Sequence, residues 1–404
     1  MTEELRKLPR RSVLAKHWNL DPEIVFLNHG SFGACPTRVL DLQTELRARM
    51  ESEPVRFFAR ELPELLDAAR SRLAGFLRAD PDGLAFVANA TTGVNTALAA
   101  IPLDNGDEIL VTDHGYPACR NAAEVVARRT GARLVEVPLA FPLASSDQVI
   151  DAVIGGLSNR TRVAIIDHVT SPTGLVFPIK ELAAELENRG VALIVDGAHA
   201  PGMIDLDLAG IGAPFYTGNC HKWLCAPKGA AFLHVREDWR TRTHPLVTSH
   251  GAAAPLLDRS RFRLEFDWTG TGDPTPWLTV PAAIETLSEM VPGGWSEIRS
   301  RNRGLAIEAL NRLCSRLGLE LPCPDGMIGS MAAIPLISRP SDKALPMGGM
   351  DPLQERLFGD FSIEAPITVW SDPRRRAVRI SAHLYNTIEE FRYLGLCLEG
   401  SAGA

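Results

Sequence analysis

Two lysines compete in the stretch GNCHKWLCAPKG, residues 218–229. Lys222 follows the strand-like run FYTGN and stands between His221 and Trp223, whereas Lys228 lies in a Pro-Lys-Gly turn. A turn lysine is ordinarily solvated. A lysine at a strand end beside aromatic rings is desolvated, which lowers the pKa of its amine and suits it to a Schiff base. The spacing therefore favours Lys222 as a covalent anchor. Asp196 ends a run of four apolar residues in LIVDGAHA. A carboxylate there needs a partner to keep its charge. A ring nitrogen that must stay protonated is one such partner; a helix cap or a salt bridge is another. His199, three residues on, can face the same space. In NATTGVN, Asn89, Thr91, Thr92 and Gly93 open a helix. Free backbone N–H groups and two hydroxyls at a helix start make an anion site, although a plain threonine cap leaves the same pattern. No Gly-Lys-Ser/Thr follows, so this is not a Walker loop. VTDHGYPA sets Asp113, His114 and Tyr116 after a further strand, where an aromatic ring can stack on a planar group or simply cover the sheet edge.

These residues need a scaffold, and the chain alternates accordingly. GLAFVANA, DEILVTD, ARLVEVPL, TRVAIIDHV, VALIVDGAH and GAAFLHV read as strands; TTGVNTALAAI, PACRNAAEVVARRTG and PIKELAAELENRG read as helices between them. Such alternation predicts a mostly parallel sheet covered by helices, with ligands at the carboxyl ends of its strands. Beyond about residue 280 the texture becomes α+β: AAIETLSEM, RNRGLAIEALNRLCSRLG and TIEEFRYLGLCLEG are helical, and MAAIPL, IEAPITVW and RRAVRISAH are short strands. Residues 240–278 show no clear period and read as a long functional loop region. Arg374, Arg375 and Arg376 read as solvated hairpin charge. The predicted organisation is an arm over 1–20, a large domain over 21–278 and a small C-terminal domain over 279–404. At 404 residues and 45% hydrophobic, the chain has material for both cores. A net charge of −7 gives no support to nucleic-acid binding. No apolar run nears the length a bilayer requires, and the charged N-terminus has no signal core, so a cytoplasmic location is expected. The seven cysteines form no C-x-x-C, and neither a zinc site nor another metal centre is expected.

An anion site, a stacking aromatic, a carboxylate for a ring nitrogen and a Schiff-base lysine, in that order along the chain, are the parts a pyridoxal phosphate enzyme needs. The combination NATTGVN, DHGYPA, DHVTSPTG, VDGAHA, CHKW and WTGTGDPTP resembles the class V aminotransferase family of fold-type I pyridoxal phosphate enzymes, and within it the isopenicillin N epimerase-like branch. The resemblance runs from FLNHGSFGACP to VRISAHLYNT. It implies an α/β fold of the fold-type I transferase kind. Lys222 would carry pyridoxal 5'-phosphate, Asp196 would pair with the ring nitrogen, and His199 would support the ring near its hydroxyl. Tyr116 would stack on the ring. Thr91, Thr92, Asn219 and His221 would contact the phosphate, and Thr170 and Ser171 would lie near the ring oxygen. Thr269 and Thr271, in TGTG, resemble a loop that reaches a neighbouring subunit's phosphate, which implies a homodimer. Arg379 matches an arginine that grips the substrate α-carboxylate, its fork suited to a carboxylate. Asn28, His29 and Gly30 resemble a stretch at the substrate pocket. The implied chemistry starts with proton removal at the α-carbon of an amino-acid substrate by the Lys222 amine. Epimerisation, β-elimination from a cysteine derivative and aminotransfer all remain open, with Tyr116, His29 and His114 as candidates for a second base. A cysteine desulfurase is disfavoured, because no cysteine lies between Cys323 and Cys397.

Overall fold

The computed structural model describes residues 7–256, 258–336, 350–370 and 372–402. Strand β1 (Val25–Phe26) precedes a run of seven strands: β2 (Leu84–Val87), β3 (Glu108–Thr112), β4 (Arg133–Val137), β5 (Thr161–Asp167), β6 (Ala192–Asp196), β7 (Phe215–Asn219) and β8 (Ala231–Val235). The seven form one sheet in the order β2-β8-β7-β6-β5-β3-β4, and only β8 runs against its neighbours. The predicted strands thus all form. β6 is buried at every position, as a strand covered on both faces must be. Its side chains alternate between two cores: Leu193 and Val195 join the larger one, Ala192 and Ile194 the smaller. The period of 2 assigns them to opposite faces. Each such buried Leu, Ile or Val contributes roughly 1.5–3 kcal/mol of transfer free energy.

A second sheet, β11-β12-β9, joins β9 (Met331–Pro335), β11 (Ile367–Trp370) and β12 (Asp372–Ser381) in antiparallel fashion. β10 (Ile363–Glu364) pairs in parallel with β1. The N-terminal stretch is therefore stitched to the C-terminal part of the chain, and the Ser381 N–H donates to the Leu27 carbonyl at 2.9 Å. This seam sets Asn28 beside Arg379 of β12.

The structure departs from the sequence reading in several places, among them the unassigned helices Asp147–Gly155 and Pro352–Phe361. Two helices of 16 residues, Thr37–Ser52 and Leu62–Leu77, form where the sequence reading assigned none. The region 240–278 is not all loop. Ser260 caps a seven-residue helix, Arg261–Asp267, that buries Phe262 and Phe266. Two turns are too short to show a period, and tertiary burial stabilises them. Arg376 is not solvated hairpin charge either: its guanidinium grips the buried Asp351 carboxylate with two contacts of 2.7 Å. Arg375 is exposed, and the Arg374 side chain lies outside the described residues. No helix among the described residues is long and apolar enough to cross a membrane.

Candidate active site

The carboxyl ends of β2, β3, β5, β6 and β7 meet at one edge of the large sheet. A cavity of about 220 Å³ opens there, lined by Asn89 and Thr91 after β2, Tyr116 after β3, Asp167 of β5, Asp196 of β6, and Asn219, His221 and Lys222 at and after β7. Ser31, Phe32, Ala90, Ser171, Ala198 and His199 complete the wall. Parallel strands place their ends together, so residues distant in sequence converge.

Lys222 reaches His199, with Nζ 3.1 Å from Nε2. The other ring nitrogen of His199 accepts a weak bond from the Trp223 indole N–H at 3.5 Å. With Nδ1 accepting from the indole, Nε2 is the ring nitrogen that carries the hydrogen and faces the lysine amine. A neutral amine suits this arrangement. Burial, reinforced by Arg379, pushes the Lys222 pKa down from 10.5 to about 8. Burial and then Lys222 hold His199 well below its ordinary value, so the imidazole stays neutral. Lys228 is exposed and donates to the Gly33 carbonyl at 2.9 Å. It braces a turn and does not line the cavity.

Asp196 is buried, and both its oxygens are held. Oδ1 accepts the Ala198 N–H at 3.0 Å, and Oδ2 accepts the Cys119 thiol at 3.0 Å. The helix Ala90–Ala99 starts at the cavity. Asn89 caps it by accepting the Thr92 N–H at 2.8 Å, and the Asn219 carboxamide accepts the Ala90 N–H at 2.8 Å. Gly93 lets this helix lie directly on β7: a Cβ there would stand 2.1 Å from Thr217 Oγ1. Thr92 turns its hydroxyl back to Asn89 at 3.0 Å and does not line the cavity. His221 donates Nδ1–H to the Ala230 carbonyl at 2.9 Å, and burial and then Lys222 lower its pKa to about 4.

Arg379 is buried and, among the described residues, has no carboxylate as a hydrogen-bond acceptor. Its guanidinium donates to the Ser171 carbonyl at 2.7 Å, to Ser31 Oγ at 2.8 Å and more weakly to Asn28 Oδ1 at 3.3 Å, while Nε has no partner among the described residues. A buried cation surrounded by neutral acceptors is a site for a small anion. Burial lowers even its pKa, to about 10.

The structure brings together most, but not all, of the residues singled out from the sequence. Lys222, Asp196, His199, Tyr116, Thr91, Asn219, His221 and Ser171 share the cavity. Thr170 does not: its hydroxyl bonds Thr173 at 2.7 Å and accepts the Leu175 N–H at 2.9 Å inside a turn. Asn28 supports Arg379. Gly30 is a packing glycine, where a Cβ would stand 2.3 Å from Met331 Sδ. His29 is fully buried and bonds the Tyr385 hydroxyl at 2.7 Å and the Lys222 carbonyl at 3.0 Å. It therefore holds the lysine backbone and lies away from the cavity. His114 is likewise buried, bonded to Thr173 at 2.8 Å. Thr269 and Thr271 sit on a turn outside this cavity. His29, Cys225 and His383 place ligand-type atoms within 4.8 Å of one another. The two imidazoles are stacked, 4.3 Å apart and tilted by only 20°, so no ion can lie in the plane of both rings. Sequence reasoning assigned no role to Asp167, Cys119 and Ser31. Asp167 had a signal, since it ends an apolar run as Asp196 does.

The residues present fit pyridoxal phosphate. The start of the helix Ala90–Ala99 is suited to an anion, Asp196 offers a carboxylate, Lys222 offers a lowered amine and Tyr116 offers an aromatic face on one cavity wall. Comparison with known proteins agrees. The isopenicillin N epimerase of Amycolatopsis lactamdurans is 39% identical over 94% of this chain and 96% of its own. A probable chloroplastic L-cysteine desulfhydrase of Arabidopsis thaliana is 33% identical over 94% of this chain and 83% of its own. A solved structure of a C-DES mutant, with glycine covalently linked to the PLP cofactor, superposes with a TM-score of 0.76 at 21% identity, covering 95% of this chain and 98% of that one. With the sequence model of aminotransferase class-V matching residues 34–394, the chain belongs to the class V aminotransferase family and is an enzyme.

Proposed function

We propose that this enzyme inverts the α-carbon of an amino-acid derivative, as an epimerase or racemase. Its cofactor is pyridoxal 5'-phosphate, with Lys222 as its anchor and Thr91, Asn219 and His221 toward its phosphate. The observation that carries the reading is the placement of two proton-transfer groups. Lys222 follows β7 and Tyr116 follows β3, so they enter one cavity from strands on either side of the Asp196 strand. His29 and His114, the other candidates for a second base, are buried and engaged elsewhere.

When bound, the cofactor supplies a conjugated ring that spreads the charge left when a bond at the α-carbon breaks. The chain supplies the rest. Arg379 binds the substrate carboxylate and orients the α-carbon. Asp196 holds the proton on the ring nitrogen. The neutral Lys222 amine, oriented by His199, takes the α-proton. The Tyr116 phenol, kept protonated by burial, Cys119 and Asp196, gives a proton from the other side. Solvent exchange then resets Lys222 and Tyr116; at 41% exposure, Tyr116 has access to water. A homodimer forms part of the proposal, because Thr269 and Thr271 lie off their own cavity and so are free to serve a second copy.

Elimination from a cysteine derivative is the second reading, favoured by the desulfhydrase relative. It needs Lys222 and Arg379 but no second proton-transfer group. Turnover in heavy water separates the two. Epimerisation gives α-deuterium with the side chain intact and scrambled stereochemistry, and Tyr116→Phe lowers the rate by about 10²-fold or more. Keto-acid release with loss of the sulfur substituent, unaffected by Tyr116→Phe, would establish the lyase instead.

A further inference from the structure

Asp167 and Asp196 are partners in register on the adjacent parallel strands β5 and β6. Each follows its strand's last residue in the larger core, Ile166 and Val195, so both carboxyls project to the other side of the sheet. That side carries Cys119 on the helix Pro117–Thr130. Both carboxyls are buried and both line the cavity. Two buried carboxylates side by side cannot both ionise without large cost.

We propose that this pair holds one proton, carried on Asp167, so that the sheet edge presents a single negative charge to Lys222 and the cofactor ring. The inference rests on the reading above that Asp196 faces the ring nitrogen. The hydrogen bonds decide which partner is charged. Asp196 accepts two donors at 3.0 Å, the Ala198 N–H and the Cys119 thiol. Asp167 has one long contact, the Tyr116 N–H at 3.4 Å, with the Ser171 N–H acting in the same sense. Donors favour the ionised form, so the charge settles on Asp196. The groups facing Asp167 are Asp196 from β6, Lys222 from the segment after β7, Tyr116 just before the helix Pro117–Thr130, and Cys119 from that helix. Of these only Lys222 can carry positive charge, and its influence is outweighed by burial and Asp196, which together push Asp167 well above its ordinary range. Cys119 is kept as a thiol by burial and by Asp196, and so remains a donor. Asp167 is thus a positioning residue. A second full charge here would hold Lys222 as a cation and withdraw its amine from proton transfer.

Infrared spectra of the holoenzyme test this at neutral pH. A carboxylic-acid C=O band that shifts with carboxyl-¹³C aspartate and disappears in Asp167→Asn is the expected result. The pH titration of the bound cofactor's absorbance should keep its midpoint in Asp167→Asn to within about 0.3 pH, because no charge is removed. No acid band in the labelled wild type, or a midpoint lowered by about 1 pH through loss of a real negative charge, would overturn the proposal. The isotope shift in the wild type stands even if the variant fails to fold. Asp196→Asn tests the other reading separately: unchanged cofactor affinity and spectrum there would remove Asp196 from the ring while leaving the acid band as evidence for the pair.

Discussion

On one side of Lys222, His199 touches the amine at 3.1 Å; on the other, His29 holds the carbonyl at 3.0 Å. Both regions are rich in histidine, cysteine and aromatic rings. The first borders a cavity and leaves Lys222, Tyr116 and the Arg379 Nε with unused capacity. The second is packed solid. His29 spends both ring nitrogens, stacks on His383, and His383 in turn meets Trp18 and Tyr385. Burial drives the pKa of His29 down to about 3. The same side-chain types do chemistry or hold structure according to whether they border the cavity or pack against one another away from it.

The largest test of this contrast is at the lysines. Lys222→Ala should lower kcat by about 10³-fold or more, because the proposed anchor and base are lost together. Lys228→Ala should cost less than about 1 kcal/mol of stability and leave kcat within a few-fold. Capture of the cofactor aldehyde by the apo chain should speed up as pH rises and level off above about 8, not 10.5, since a depressed pKa frees the amine earlier. A plateau only near 10.5, or a reduced cofactor adduct on Lys228 found by peptide mass analysis, would break the comparison.

Next comes Arg379→Ala, expected to lower kcat/KM by about 10²-fold through loss of charge-assisted hydrogen bonds. Lysine at the same position should recover only part of that, for want of a planar fork. A substrate amide, lacking the carboxylate, should show little difference between wild type and variant; an equal loss on both would remove the carboxylate role. The smallest effect on turnover is expected at His29→Ala. Stability should fall by roughly 2–4 kcal/mol, from a lost buried ring and an orphaned carbonyl, while kcat stays within about tenfold. Calorimetry beside steady-state rates checks it, and a rate loss as deep as that of Lys222→Ala would erase the difference between the two regions.

Much of this was legible from local pattern. Period and turn residues located every strand of the large sheet, and a polar residue ending an apolar run located Asp196 and Lys222. The helix Arg261–Asp267 was hidden because two turns carry no period and its stability comes from Phe262 and Phe266 docking on the smaller core. Arg376 was hidden because Asp351, its partner, is 25 residues away. Thr92 and Thr170 carry the right hydroxyls, but each is committed to a local bond that sequence does not display.

The sequence by itself determined the succession of strands in the large sheet, the family, and which side chains stand at the strand ends. Those follow from short-range periodicity and from residue identity. Only the tertiary structure decided which of those side chains share a cavity. Strand order sets Lys222 and Tyr116 on either side of Asp196, and register sets Asp167 beside it. The β1–β10 seam brings Asn28 and Ser31 to Arg379 across more than 340 residues of chain. Proximity of this kind is a property of topology and packing. It fixes burial and unused hydrogen-bonding capacity, and through them the charge each group carries.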